Sequence, residues 1–174
     1  MRSFIRSKYR DSVLKARLFM FKDISSTISL ANAKNGSAPN FLLALGLCCY
    51  TEFWGRLTEG IPKDNEETCF YAFLNRLGNC YRTQRLHSLF KPHRDIRNSL
   101  AHAYLDKDVT IRLSRGSCGI VFNSNQKQGK YTFYVRTYFD DFQTAVNNYV
   151  KELSTSEKAI QNMEKAFKGK VPLT

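Results

Sequence analysis

Past Asp106-Lys107-Asp108 the apolar residues of this chain stop recurring at helical intervals and begin to alternate, and at Phe139 the helical spacing returns. Val109, Ile111 and Leu113 alternate with Thr110 and Arg112, Ile120 to Phe122 is a short apolar run, and Tyr131, Phe133 and Val135 alternate with Thr132, Tyr134 and Arg136. Every second side chain of a strand shares one face, so the spacing predicts two to three short antiparallel strands over about 109–136. The chain on either side is helical. The connection from Asn123 to Lys130 is polar and carries Gly129 with Lys127 and Lys130. It reads as a projecting basic loop that either touches nucleic acid or is simply solvated.

The helical parts are legible from their seams. Val13, Leu14, Leu18, Phe21 and Ile24 recur at helical intervals from Tyr9 to about Ala31, and Asn35-Gly36-Ser37-Ala38-Pro39 marks a loop. The next helix, Phe41 to about Leu57, is apolar nearly all round near its start, which places it at the centre of a bundle. Ile61-Pro62-Lys63 breaks the chain, Asp64 with Glu67 resembles a capping box, and Phe70, Phe73, Leu74 and Leu77 form an apolar face that Gly78 terminates. After the strands, Phe139, Phe142, Val146, Tyr149 and Leu153 make the seam of a packing helix. A further short helix starts near Ser154 to Glu157 and carries Ile160, Met163 and Phe167. The last residues, Gly169 to Thr174, read as a loose end. At 174 residues with 43% hydrophobic content, one domain with a real core is expected, its helical core at about 9–105 and 139–168.

One further helix, Pro92 to about Leu105, carries the candidate chemistry. Pro92 suits a first helical turn and Asp95 sits near its positive end. At roughly 100° per residue, Ile96, Leu100 and Ala103 share an apolar stripe. Arg97 and His102 flank a different face, with Asn98 and Ala101 between them and Arg94 one turn before Asn98. That floor is small and polar and its walls are cationic or titratable, which suits a phosphate. The interval alone says little, because Arg82 and His87 repeat it in another context. Asn98 after the arginine, Tyr104 after the histidine and the opposite apolar stripe set the second instance apart.

On Arg97, Asn98 and His102 the chain resembles the HEPN superfamily, helical bundles whose ribonuclease members carry Arg, a polar residue, three others and His near the start of their last core helix. The resemblance covers roughly a dozen residues. It implies a mainly α, HEPN-like up-and-down bundle, here with the small antiparallel insertion placed before the C-terminal helices. The extended pattern through Tyr104 is similar to the HepT group of HEPN toxins, in which that tyrosine is modified with AMP by a partner nucleotidyltransferase. This chain departs from that group in its length, its strand insertion and its extra C-terminal segment.

Charge and cysteines bound the partners. A formal net charge of +12 favours polyanions, with RNA or DNA ahead of a membrane surface. Five cysteines, with Cys48 and Cys49 adjacent, form no evident disulfide framework and point to a cytoplasmic protein. Cys69, Cys80 and Cys118 read as small buried residues and lack metal-ligand spacing with the histidines, so neither a metal nor a cofactor is expected. Arg6, Lys8 and Arg10 interrupt any signal-peptide core. The stretch Phe41 to Trp54 contains Glu52 and is too short to span a bilayer, so no membrane association is expected.

RNA cleavage without a metal needs a base for the 2′-hydroxyl, an acid for the departing 5′-oxygen and a cation at the phosphorus oxygens. His102 is the proton-transfer candidate and Arg97 the phosphate ligand. One imidazole cannot be acid and base at once, so the chemistry predicts a homodimer with a composite site. Asn98 would orient the phosphate or the imidazole, Arg94 would add a phosphate contact, and Tyr104 would contact RNA or Arg97. Glu52 either orients the arginine or histidine or pairs with Arg56 one turn on. The expected activity is that of a metal-independent endoribonuclease, as a toxin with an antitoxin partner or as a defence factor. The alternatives are an inert RNA-binding or partner-binding module and a structural subunit.

Overall fold

In a computed structural model the backbone is described for residues 2–34, 38–61, 65–86, 88–102, 109–123 and 131–168, and the side chains for the same residues except 2–6, 33–34, 38–39 and 102. Helix α2 (Ala38–Glu59) lies at the centre and is contacted by α1 (Arg2–Lys34), α3 (Glu66–Leu77), α6 (Val135–Thr155) and α7 (Glu157–Phe167). Its apolar residues are spread around the axis, and Leu43, Leu47, Cys48 and Trp54 are all fully enclosed. A helix apolar on every side can only be stable when surrounded. The described residues are mainly helical, with one small three-stranded sheet. Among the described residues no helix is long and apolar enough to cross a membrane.

The seam of α1 runs through Val13, Ala16, Met20, Ile24, Ile28 and Ala31, while Leu18 lies on the outer face. Leu18 therefore does not belong to the packing stripe that its spacing suggested. Helix α3 begins after Asn65, whose side chain makes no capping bond; Asp64, the first residue of the expected Asp64 and Glu67 capping box, lies outside the described residues. Gly78, at φ 151°, separates α3 from the short α4 (Asn79–Arg85).

The sheet corrects the expectation of antiparallel pairing throughout. β2 (Ile120–Phe122) pairs antiparallel with β3 (Tyr131–Tyr134), but β1 (Val109–Arg112) joins the other edge of β3 in parallel, giving the order β1-β3-β2. The reason lies in the segment between β1 and β2, which crosses over the C-terminal end of β3. There the Gly116 N–H donates to Thr137 Oγ1 (2.9 Å) and the Tyr134 N–H to the Gly119 carbonyl (2.7 Å). A Cβ on Gly116 would sit 2.5 Å from the Tyr134 ring, so this crossing needs a residue without a side chain.

β3 passes into α6 with no intervening loop, so Val135 and Arg136 are helical rather than strand residues. The alternation of Tyr131, Phe133 and Val135 hid this boundary. All three are buried and form one surface with Tyr138, Phe139 and Phe142. Behind the sheet, the buried Tyr81 hydroxyl donates to Asp141 (2.7 Å) and accepts from the Gly119 N–H (3.1 Å), joining α4, α6 and the crossing segment.

The cysteine reading is also corrected. Cys80 of α4 and Cys118 beside β2 are joined in a disulfide, across a sequence separation of 38 residues that no spacing rule connects. Gln84 reinforces the same junction, donating to the Ile120 carbonyl (2.6 Å) and accepting from the Phe122 N–H (2.8 Å). Helix α4 is thereby fixed to the sheet.

At the C-terminal end, Ser156 Oγ caps α7 by accepting from the Ala159 N–H at 3.2 Å. Ser156→Ala should lower stability by about 1 kcal/mol, measured by urea denaturation. A change below a few tenths would show that the cap contributes little.

Candidate functional site

Within the segment read as one helix from Pro92 to Leu105, His93–Asn98 forms a π-helical turn that continues into the short α5 (Ser99–His102); residues 103–105 lie outside the described residues. Ile96 and Leu100 are buried, so the apolar stripe faces the bundle as its spacing requires. π-Turns are rare and occur often at functional sites. This one presents His93 and Arg97 together toward α2 and the start of α3.

Both meet the carboxylate of Glu52, which is nearly enclosed within α2. Arg97 Nε donates to Glu52 Oε1 at 2.5 Å and Nη2 to Oε2 at 3.1 Å, a two-point fork. His93 Nε2 lies 3.2 Å from the same Oε1, and its ring packs against Phe70 with centroids 5.4 Å apart. Glu66, at the first residue of α3, lies 3.6 Å from Arg97 Nη2 with a half-exposed side chain. Two carboxylates thus hold one edge of the guanidinium, while Nη1 faces the Asn98 side-chain oxygen at 3.4 Å.

Burial works against the charge on Arg97, but the hydrogen bonds and charge of Glu52 outweigh it and raise the pKa. The arginine is a permanent cation held by planar two-point geometry, which also fixes its orientation. Cys49 faces the same group; burial first, and then Glu52, push its thiol upward, which disfavours thiolate chemistry there. Among the described residues no three His, Cys, Asp or Glu side chains gather as metal ligands.

The residues singled out in the sequence separate into three sets. Glu52, Arg97 and Asn98 come together; Glu52 turns to the motif and not to Arg56, whose Nε is buried without a hydrogen-bond partner. Arg94 does not join them. It is exposed and its Nε donates to Asp95 Oδ1 at 2.6 Å, so its charge is already engaged. The side chain of His102 and the whole of Tyr104 lie outside the described residues.

His93 was not among the predicted site residues, yet it shares the Glu52 carboxylate with Arg97. Its position four residues before Arg97 is the one signal that places both on the same side of a turn. Its partner lies 41 residues earlier in the chain, out of reach of any local pattern.

Fold and site together define a helical domain in which a buried carboxylate holds a motif arginine. The chain matches no protein-family model, no curated protein and no solved structure. The HEPN resemblance therefore rests on Arg97, Asn98 and His102.

Proposed function

We propose that this protein is a metal-independent RNA endonuclease of the HEPN type, with Arg97 and His102 of two protomers forming a composite site. The observation that carries the reading is the Glu52 fork on Arg97. A buried carboxylate that fixes an arginine while leaving Nη1 directed toward Asn98 prepares a cation for the oxygens of a phosphodiester before substrate arrives.

In the proposed reaction His102 of one protomer takes the 2′-hydroxyl proton, and the 2′-oxygen bonds to phosphorus. The bond from phosphorus to the 5′-oxygen breaks, and His102 of the second protomer delivers a proton to that oxygen. The products are a 2′,3′-cyclic phosphate and a 5′-hydroxyl end. Arg97 binds the charge on the phosphorus oxygens, and Asn98 orients the scissile group. Such an activity suits a toxin or a defence ribonuclease. AMP transfer to Tyr104 by a nucleotidyltransferase partner would be a means of silencing it.

A second reading has its own observation. Glu52 and Glu66 both lie against Arg97 and offset its charge, as suits a catalytically inert RNA-binding or partner-binding module. Cleavage of a mixed RNA pool in excess chelator separates the two. Wild type should cleave, and Arg97→Ala and His102→Ala should each lose about 100-fold or more while remaining folded dimers. Salt-dependent binding without cleavage by wild type would instead select the inert module. Undiminished cleavage by His102→Ala would exclude the proposed chemistry.

A further inference from the structure

A polar groove runs along the solvent side of α3. Its first part, about 690 Å³, lies between the end of α2, α3 and α4, and is lined by Glu59, Glu67, Tyr71, Asn75, Arg76 and Arg85 among others. Its second part, about 490 Å³, lies between α3, α4 and α6, where Arg82 and Asn148 take part. The two share Asn75 and Arg76. The face from Glu67 to Arg76 is about 14 Å long at 1.5 Å per residue, enough for a short length of nucleic-acid strand.

The cations in this groove are in different states. Arg76 is engaged by both oxygens of Glu152 at 2.9 and 3.0 Å. Arg82 and Arg85, on the outer side of α4, make no ion pair among the described residues. The Arg85 guanidinium lies over the Tyr71 ring, 4.8 Å from its centroid, leaving its opposite face for a second planar group. The support is rigid, because α4 is tied to the sheet by the Cys80–Cys118 disulfide and by Gln84. The groove also adjoins the motif: α3, which carries Tyr71, packs against the His93–Asn98 turn, whose His93 shares Glu52 with Arg97.

We propose that this groove is the path of single-stranded RNA to Arg97, with a base stacked on the Arg85–Tyr71 pair, a backbone phosphate on Arg82 and a ribose 2′-hydroxyl donating to Glu67. The proposal rests on the RNA reading above. Aromatic and guanidinium planes stack on any base, unpaired arginines hold the backbone, and a carboxylate beside the strand accepts from a hydroxyl that DNA lacks. Glu59 and Glu67 offset much of the positive charge, which disfavours a site that works by bulk attraction alone and favours one that reads the sugar.

Anisotropy titrations test this with a short fluorescent oligouridine, its 2′-deoxy counterpart and an RNA duplex, all in a His102→Ala background that keeps the RNA intact. Arg82→Ala/Arg85→Ala should weaken single-strand binding at least about 10-fold and reduce its salt dependence. Tyr71→Ala should weaken it about 5- to 100-fold, with Tyr71→Phe retaining most of the affinity as the folding control. Glu67→Gln should narrow the preference for RNA over DNA. Wild-type affinity in the double variant, equal binding of the deoxy strand, or no binding by the parent protein would each overturn the groove.

Binding and cleavage fail separately. If the double variant binds normally while Arg97→Ala abolishes cleavage, the groove is refuted and the nuclease stands. If the double variant loses binding and no protein cleaves, the groove stands and the nuclease falls.

Discussion

Glu52→Ala should cost about 3 kcal/mol of folding stability, the lower end of the range for removing one member of a buried ion pair, because Glu66 remains 3.6 Å from Arg97. The side chains of Glu52 and Arg97 are only 9% and 17% exposed, so little solvent screening discounts the loss. His93 loses its acceptor in the same step. Glu52→Gln keeps an acceptor oxygen but not the charge, and should fall between wild type and alanine. Urea denaturation reads all three. A loss below about 1 kcal/mol for Glu52→Ala would mean that the fork contributes no more than an ordinary surface pair. A folded Glu52→Gln variant that cleaves RNA at the wild-type rate would show that orienting Arg97 is not what the carboxylate does.

Gly55→Ala should be comparably damaging for a different reason. A Cβ at Gly55 would lie 1.7 Å from the Cys69 carbonyl oxygen and 2.5 Å from its carbon, so α2 and α3 would have to separate. The obstacle is backbone and cannot rotate aside, which places the cost at the upper end for overpacking, about 3 kcal/mol. For a chain of this length that corresponds to a fall in Tm of roughly 6–12 °C. Gly46, in the same helix, supplies the control. Its added methyl meets only Ile24 Cδ1 at 3.6 Å, and alanine suits a helix interior better than glycine by roughly 0.5–1 kcal/mol. Gly46→Ala should therefore be neutral or stabilising. If both substitutions behave alike in thermal denaturation, the close crossing of α2 and α3 is wrong. Because α3 opens with Glu66, a shift of this helix would also move a carboxylate away from Arg97.

Helices α1, α2, α3, α6 and α7 were legible because each carries its own apolar seam, and the centrality of α2 followed from apolar residues on all its sides; the short α4 has no such seam and was not. The sheet was legible only as far as alternation reaches. Alternation shows that Val109–Arg112 and Tyr131–Tyr134 are extended, but not which edge each joins or in which direction. That is decided by a crossing segment whose only sequence trace is Gly116 against Tyr134. The Cys80–Cys118 bond was hidden in the same way, since the fold and not the spacing brings α4 to β2.

Local spacing singled out Arg97 and Asn98, which the structure brings together with Glu52. Whether Glu52 faces Arg56 or the motif depends on how α2 packs, and His93 gains its place through that packing alone. The π-turn too was invisible, because the apolar stripe through Ile96 and Leu100 has the same appearance with or without one extra residue in the turn.

The direct passage from Tyr134 into Val135 has a mechanical consequence. Most sheets hang from their helices by loops that absorb displacement; here strand and helix form one stiff member with no slack at the joint. The helical arm of that member is 21 residues long, about 30 Å at the usual rise. Near its far end, Glu152 grips Arg76 in the α3 groove. A load applied to the sheet is therefore delivered to the α3 groove as a tilt of α6.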